Sequence, residues 1–471
     1  MALAPLSLAF HGAARTVTGS RHLMRFGERR WLFDCGLYQG SRDEAERINR
    51  TFAFAPGELD AVIVSHAHLD HIGNLPTLGA QGFRGPIHLT GASADLSRFM
   101  LQDSAFLQQK DVEHVNRVHG KKGQPRQPLY TVADVEDTLA RFQTHGYHET
   151  WSPFPGVSVQ YHDAGHILGS ALTTFEFAAE GRTLRVCMGG DLGRPGRPIL
   201  RDPELPPGPE VLVLESTYGD RVHGNEVATN AALAEVMTRT LGRGGRVIVP
   251  AFAVGRTQEL VAVLHMLIDM GRVPEVPVFV DSPMARKATG VYKQHPECYD
   301  DETRALLALG GGAPFGFHRL HYIESAEESR ALNDLRDPCI ILSASGMCEG
   351  GRVLHHLQHG LGDPKNTVLF VGFQGEGTLG RRLREGAETV NVFGEPVRVR
   401  AEIAGLDGFS AHADQQELLH WVQALDPAPK RIFLVHGELP AQKVLASLLQ
   451  AQTGAQVRIP ERGEEFDLWT S

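Results

Sequence analysis

The chain has 471 residues, 42% hydrophobic, 22% charged and 7% aromatic, with a formal net charge of −10 at pH 7. That is the profile of a soluble globular protein, long enough for about two or three domains that each bury a core. It carries no apolar stretch long enough to span a bilayer, no basic leader before an apolar run, and five scattered cysteines without CxxC spacing, so a membrane protein, a secreted disulfide scaffold and a cysteine-built zinc site are all disfavoured, and the cytoplasm is the expected location.

In chain order, the first informative segment is RRWLFDCG, a short apolar run that stops at Asp34. Residues 61 to 71 read AVIVSHAHLDH, a β-branched run followed at once by His66, His68, Asp70 and His71. Side chains two apart in an extended segment point the same way, so His66 and His68 can grip one ion. Asp70 then falls at the cap or first turn of a helix through Ile72, Gly73 and Asn74, which swings Asp70 and His71 toward a second position. This spacing points to a metallohydrolase with two neighbouring subsites, and is silent on substrate.

The same grammar recurs downstream. SVQYHDAGHILGS sets His166 just beyond a strand, with Gly165 allowing a tight turn, and TLRVCMGGD ends in Asp191. VLVLEST ends in Glu215 and RIFLVHGE in His436. Layered α/β folds bind ligands beyond the carboxyl ends of their strands, so these residues can converge. A consistent scheme gives His66, His68 and His166 to one metal, Asp70, His71 and His436 to the other, and Asp191 to both. Imidazole and carboxylate without thiolate favour Zn²⁺, with Mn²⁺ or Fe²⁺ fitting the same ligand types. Asp34 is better placed to accept the N–H of a ligand histidine than to ligate. In GLDGFSAHADQQELLHW, Ser410 reads as an N-cap and His412 as lying at a helix entrance, where it would face substrate as proton donor or phosphate contact.

Between Glu215 and His412 the texture changes to alternating strands and helices (RVIVP, PVFVD, CIILSAS, NTVLFVGFQ), which reads as a doubly wound domain with a parallel sheet. Pro-rich RDPELPPGPE, residues 201–210, marks a linker, so the metal-binding domain is expected to be discontinuous: 1–210 and 405–471, with an inserted domain over 211–404. At the insertion's strand ends, Ser343, Ser345 and Gly346 form a small-residue turn suited to phosphate, and Arg256, Arg286, Lys287, Arg352, Arg381, Arg382 and Arg384 could line a positive groove. Such a domain closing over the metals would make a channel for a polyanion. No repeat is evident beyond a Gly run at 310–312.

Together these segments resemble the metallo-β-lactamase-fold nucleases with a β-CASP insertion, the group of the eukaryotic mRNA cleavage and polyadenylation endonuclease subunit and its bacterial and archaeal RNase relatives. GAARTVTGS, FDCG, SHAHLDHIGNLP, AGHILGS, GGDLG, LESTYGDR, PAFAVGRTQE, DSPMA, SASGMCEGGRVLHHL, FSAHAD and LVHGE carry the resemblance nearly end to end. It implies an αββα sandwich with a Rossmann-like β-CASP insertion, two zinc ions, and single-stranded RNA as substrate, and it leaves a homodimer open. It implies that His412 assists leaving-group departure, that Glu215 orients it, that Asp70 belongs with them in catalysis, and that Ser343, Ser345 and Ser410 lie along the scissile-phosphate path. Gly190 stands where relatives often have serine. The expected reaction is two-metal hydrolysis by a bridging hydroxide, internally or from a 5′ end, leaving 5′-phosphate and 3′-hydroxyl termini. The rivals are a small-molecule hydrolase of the same fold and a non-catalytic RNA-binding subunit.

Overall fold

The computed structural model describes residues 4–119, 125–308, 315–375 and 377–470. The Gly run at 310–312 lies outside them. The chain divides into two compact units. One comprises residues up to Pro195, Asp202–Val222 and everything from His412 onward; the other comprises Gly196–Arg201 and His223–Ala411.

The first unit holds two seven-stranded sheets. Alternation along their strands explains how they pack. Leu6, Leu8 and Phe10, Trp31 and Phe33, Val157, Val159 and Tyr161, Phe175 and Phe177, and Val211 and Val213 all enter one core drawn from both sheets. Their neighbours Leu172, Cys187, Leu212, Leu214, Ile432 and Leu434 turn to the opposite face of the second sheet, against Leu418 and Val422 of helix Gln415–Ala424 and Leu445 and Leu449 of helix Leu439–Thr453. A two-residue period with both phases buried gives sheet on sheet with helices outside. This is the αββα sandwich.

The second unit is a six-stranded sheet in the order Leu320–Tyr322, Val278–Asp281, Ile340–Ser343, Val247–Pro250, Thr367–Phe370, Glu402–Gly405, with every pairing parallel. Val247 and Val249 pack under helices Glu226–Gly242 and Arg256–Asp269, while Ile248 packs with Val353, Leu357 and Leu383 on the other face. Burial on both faces is why these strands read as unbroken apolar runs. Among the described residues, no helix is long and apolar enough to cross a membrane.

Three expectations need correction. The insertion does not begin at 211: Val211–Leu214 pairs in parallel with Arg182–Met188 and Arg431–Leu434 inside the sandwich, so the unit changes after Val222 and changes back at His412, not 405. The helix through Asp70 stops at Ile72, capped by Gly73, and a separate helix Leu75–Ala80 follows. Ser410 is not a helix N-cap. It closes the short 3₁₀ turn Asp407–Phe409, and the helix begins at Gln415 because Asp414 and Glu417 form a reciprocal capping box, Glu417 N–H donating to Asp414 Oδ1 at 2.9 Å and Asp414 N–H to Glu417 Oε2 at 2.8 Å.

Candidate metal centre

Strand ends and the turns after them bring the candidate residues together. Strand Arg29–Phe33 ends at Asp34, and Ala61–Ile63 leads to Ser65, His66 and His68, where His68 caps the helix that carries Asp70 and His71. The turn after Val157–Asp163 presents His166, its N–H held by Ser170 Oγ at 3.0 Å. Asp34 and His436 adopt left-handed backbone, with φ of 59° and 48°, a conformation uncommon for side-chain-bearing residues and concentrated at functional sites. Glycines bring the turns close. A Cβ on Gly36 would overlap the Asp70 carbonyl, and one on Gly190, at φ 56°, would lie 2.6 Å from Ser65 Cβ.

Two clusters share one carboxylate. His66, His68, His166 and Asp191 place one ligand atom each within 4.8 Å of one another, as do Asp70, His71 and His436. His66 Nε2 and His166 Nε2 lie 3.1 and 3.2 Å from His68 Nδ1, and 3.5 and 3.6 Å from Asp191 Oδ2. The other oxygen, Asp191 Oδ1, lies 3.3 Å from His71 Nε2, and His436 Nε2 is 3.2 Å from Asp70 Oδ2.

Neighbouring hydrogen bonds fix which imidazole nitrogens keep lone pairs. Ser65 Oγ donates to Asp34 Oδ2 (3.0 Å), so it accepts from His66 Nδ1–H (3.0 Å) and leaves His66 Nε2 unprotonated. His71 Nδ1–H donates to Asp34 Oδ2 at 2.7 Å, which frees its Nε2. Thr217 Oγ1 donates to Glu215 Oε2 (2.6 Å) and accepts from His436 Nδ1–H (3.2 Å), freeing His436 Nε2. Lone pairs therefore converge, and among the described residues His71 Nε2 and Asp191 Oδ1 are buried without a hydrogen-bond partner. Such a donor set fits divalent cations.

Electrostatics divide the histidines: burial opposes charge on His71, but Asp191, Asp34 and Asp70 outweigh it and hold that ring well above the ordinary value, the mark of a site rich in negative charge. Burial, reinforced by His71, holds His66 well below the usual imidazole range, and burial pushes His68 down to about 4, so both rings are neutral near pH 7 and keep a lone pair to offer. Burial works against charge on Asp191, yet the imidazoles of His436, His71 and His66 hold its carboxyl well below the ordinary value. His412, which forms a further group within 4.8 Å with Asp191 and His436, differs from His66 and His68 in its charge. Burial opposes its charge, but Glu215, whose oxygens lie 3.0 and 3.1 Å from His412 Nδ1, outweighs this and raises it to about 9.

The phosphate candidates behave differently. Ser343 Oγ is buried and donates to Asp281 O (3.0 Å), Ser345 Oγ accepts from Glu349 N–H (3.2 Å), Gly346 O accepts from Gln374 (3.0 Å), and Arg256 is ion-paired with Glu259. Ser343 and Arg256 are thus committed to contacts within the insertion, and Ser410 is buried beside its turn. Four hydroxyls carry no mark of their own in the sequence: Ser65, Ser170 and Thr217, which contact the candidate ligands His66, His166 and His436, and Ser20, which donates to Asp34. Ser65, Ser170 and Thr217 each lie within four residues of a candidate site residue, the one signal available for them, and Ser20 has none.

Fold and centre together define a metal-dependent hydrolase of the metallo-β-lactamase class. Residues 20–171 match the metallo-beta-lactamase superfamily, 257–383 the Beta-Casp domain, and 396–460 the Zn-dependent metallo-hydrolase RNA specificity domain. The chain is 40% identical to Ribonuclease TTHA0252 of Thermus thermophilus, over 96% of this chain and 98% of that protein. It is 34% identical to transcription termination factor FttA of Methanosarcina mazei, over 95% of this chain and 69% of that one. A crystal structure of a protein of unknown function from Enterococcus faecalis shares the fold, with a TM-score of 0.56 at 13% identity over 99% of this chain and 100% of that one. The chain belongs to the β-CASP ribonuclease family of the metallo-β-lactamase superfamily.

Proposed function

We propose that this protein is a zinc-dependent ribonuclease that hydrolyses phosphodiester bonds of single-stranded RNA and leaves 5′-phosphate and 3′-hydroxyl ends. The observation that carries the reading is the His412–Glu215 pair beside the ligand clusters, with His412 Nδ1 3.9 Å from Asp191 Oδ2. The RNA specificity domain and the Thermus ribonuclease support the substrate class.

His66, His68, His166 and Asp191 would hold one zinc, and Asp70, His71, His436 and Asp191 the second. When bound, the ions supply Lewis acidity toward phosphate oxygens and make water acidic enough to yield hydroxide near neutral pH. The chain's own groups do the rest. Glu215 retains the Nδ1 proton of His412 and keeps the ring charged, so the proton on Nε2 can pass to the departing 3′ oxygen. Asp34 and Ser65 fix the tautomers of His71 and His66, and Thr217 links Glu215 to His436. Asp70, at 21% side-chain exposure against 1% for Asp191, is the carboxylate of the pair positioned to contact water entering the site.

The test compares two variants on labelled single-stranded RNA. His412→Ala should cut turnover by about 10² to 10⁴ with its metal retained, the usual worth of a general acid. Asp191→Ala should lose both metal and turnover. Equal metal loss in the two variants rejects the division of labour, and wild-type cleavage confined to a lactam or thioester replaces the ribonuclease reading with a small-molecule hydrolase.

A further inference from the structure

A second group of metal-capable side chains gathers elsewhere in the sandwich unit: His148, His162 and Glu204, with one donor atom of each within 4.8 Å of the others. They come from segments far apart in sequence. His148 lies between strands Phe142–His145 and Thr150–Phe154, His162 near the end of strand Val157–Asp163, and Glu204 in the Pro-rich stretch 201–210.

Hydrogen bonding again fixes a tautomer. Thr174 Oγ1 donates its one proton to Gln160 O (3.3 Å) and so accepts from His162 Nε2–H (3.1 Å). His162 Nδ1 then carries a lone pair 3.8 Å from Glu204 Oε2, while His148 Nε2 lies 3.1 Å from Glu204 Oε1. Two electron-rich atoms at that separation make no hydrogen bond with each other. Zinc with ligand bonds of about 2.0 to 2.2 Å spans ligand atoms at this spacing.

The donors are also held in place. Glu204 N–H donates to Asp163 O (2.9 Å), Glu204 Oε2 accepts from Asp163 N–H (3.2 Å), and Trp421 Nε1–H donates to Glu204 O (2.9 Å). His148 keeps a left-handed φ of 63°, anchored by its N–H on Tyr161 O (2.9 Å), and its side chain is 56% exposed, so the group can be reached from solvent.

We propose that His148, His162 and Glu204 form a separate site for one divalent cation of the zinc class. The ion ties the 146–149 turn and the 201–210 segment to the strand that runs into the His166 turn, where Asp163 Oδ1 accepts from Gly165 N–H (2.9 Å). Its role is structural bracing at the base of a loop that carries a ligand of the main centre.

The test uses the whole 471-residue chain, stripped of metal and dialysed against Zn²⁺, with zinc per chain read by mass spectrometry. His148→Asn removes the imidazole while asparagine tolerates the left-handed backbone, and Glu204→Gln removes the charge at constant shape. Each variant should hold one equivalent fewer than wild type, and the same difference should separate Asp191→Ala from Asp191→Ala/His148→Asn, which keeps the outcome independent of the main centre. With Zn²⁺ present both single variants should melt below wild type, and the gap for His148→Asn should close after chelation. Zinc equivalents equal to wild type in both single variants would leave only a histidine–glutamate ion pair and overturn the proposal.

Discussion

Asp34→Asn is a demanding test of the hydrogen bonds that orient the candidate ligands. Asp34 Oδ2 accepts from His71 Nδ1–H (2.7 Å), Ser65 Oγ–H (3.0 Å) and Ser20 Oγ–H (3.1 Å), and Oδ1 accepts from Ser65 N–H (2.8 Å). Asparagine keeps the shape and tolerates the left-handed backbone, but only one of its terminal atoms accepts. If the amide nitrogen occupies the Oδ2 position it meets the His71 Nδ1–H, and His71 must shift its proton to Nε2, the atom 3.3 Å from Asp191 that is needed for a metal. Loss of such an orienting partner costs about 10- to 100-fold in metal affinity, or about 1.4 to 2.8 kcal/mol. If instead the nitrogen occupies the Oδ1 position, the buried Ser65 N–H is orphaned, at about 1 to 3 kcal/mol of stability. Zinc affinity by chelator competition and stability by urea denaturation of the metal-free protein read the two branches separately. A variant within twofold of wild type in zinc affinity and unchanged in denaturation midpoint would refute the reasoning.

Glu215→Gln removes the charge that holds His412 while leaving the ligands in place, so turnover on RNA should fall at least about 10-fold with zinc content unchanged; loss of zinc would place Glu215 among the ligands. Asp281 is fully buried in the second unit and accepts from His356 Nε2 (2.7 Å), Ser329 Oγ (2.6 Å) and Arg352 Nη1 (2.7 Å). Asp281→Ala should therefore cost about 3 kcal/mol in denaturation without changing zinc content. Burial opposes the Asp281 charge but those bonds hold its carboxyl below the ordinary value, so its contribution should be complete above about pH 4 and disappear as pH falls through the lower folded value. The gap between wild type and Asp281→Ala should narrow only on the acid side. Gly190→Ser puts a Cβ at φ 56° and against Ser65, and should cost about 2 kcal/mol and weaken zinc binding through Ser65 and His66; an unchanged melting temperature would show that the turn adapts.

Much of the centre was legible because strands announce their own ends. A β-branched run has few ways to be buried, and the polar residue where it stops must sit at a sheet edge, which located Asp34, His66, Asp191, Glu215 and His436. At residue 211 a strand end marks no boundary, since VLVL reads alike in either domain and only its pairing with Arg182–Met188 assigns it. Ser410 looked like a cap by residue type, but a carboxylate with a reciprocal partner three residues on is the stronger cap, and local sequence held both. Ser65 and Thr217 were passed over because a hydroxyl is chemically generic until its neighbours are known. His148, His162 and Glu204 share no spacing, so only the folded chain unites them.

The order in which the centre is assembled along the chain has a consequence during synthesis. His436 follows a strand that must slot between Val211–Leu214 and Gln456–Arg458, and the late strand Glu465–Asp467 pairs with Leu6–Phe10 near the start. A nascent polypeptide halted after the inserted unit has His66, His68 and His166 yet lacks the last imidazole and the closing strands. The second cluster is therefore completed only once Arg431–Leu434 has paired on both sides, which ties its assembly to closure of the sheet rather than to the inserted unit.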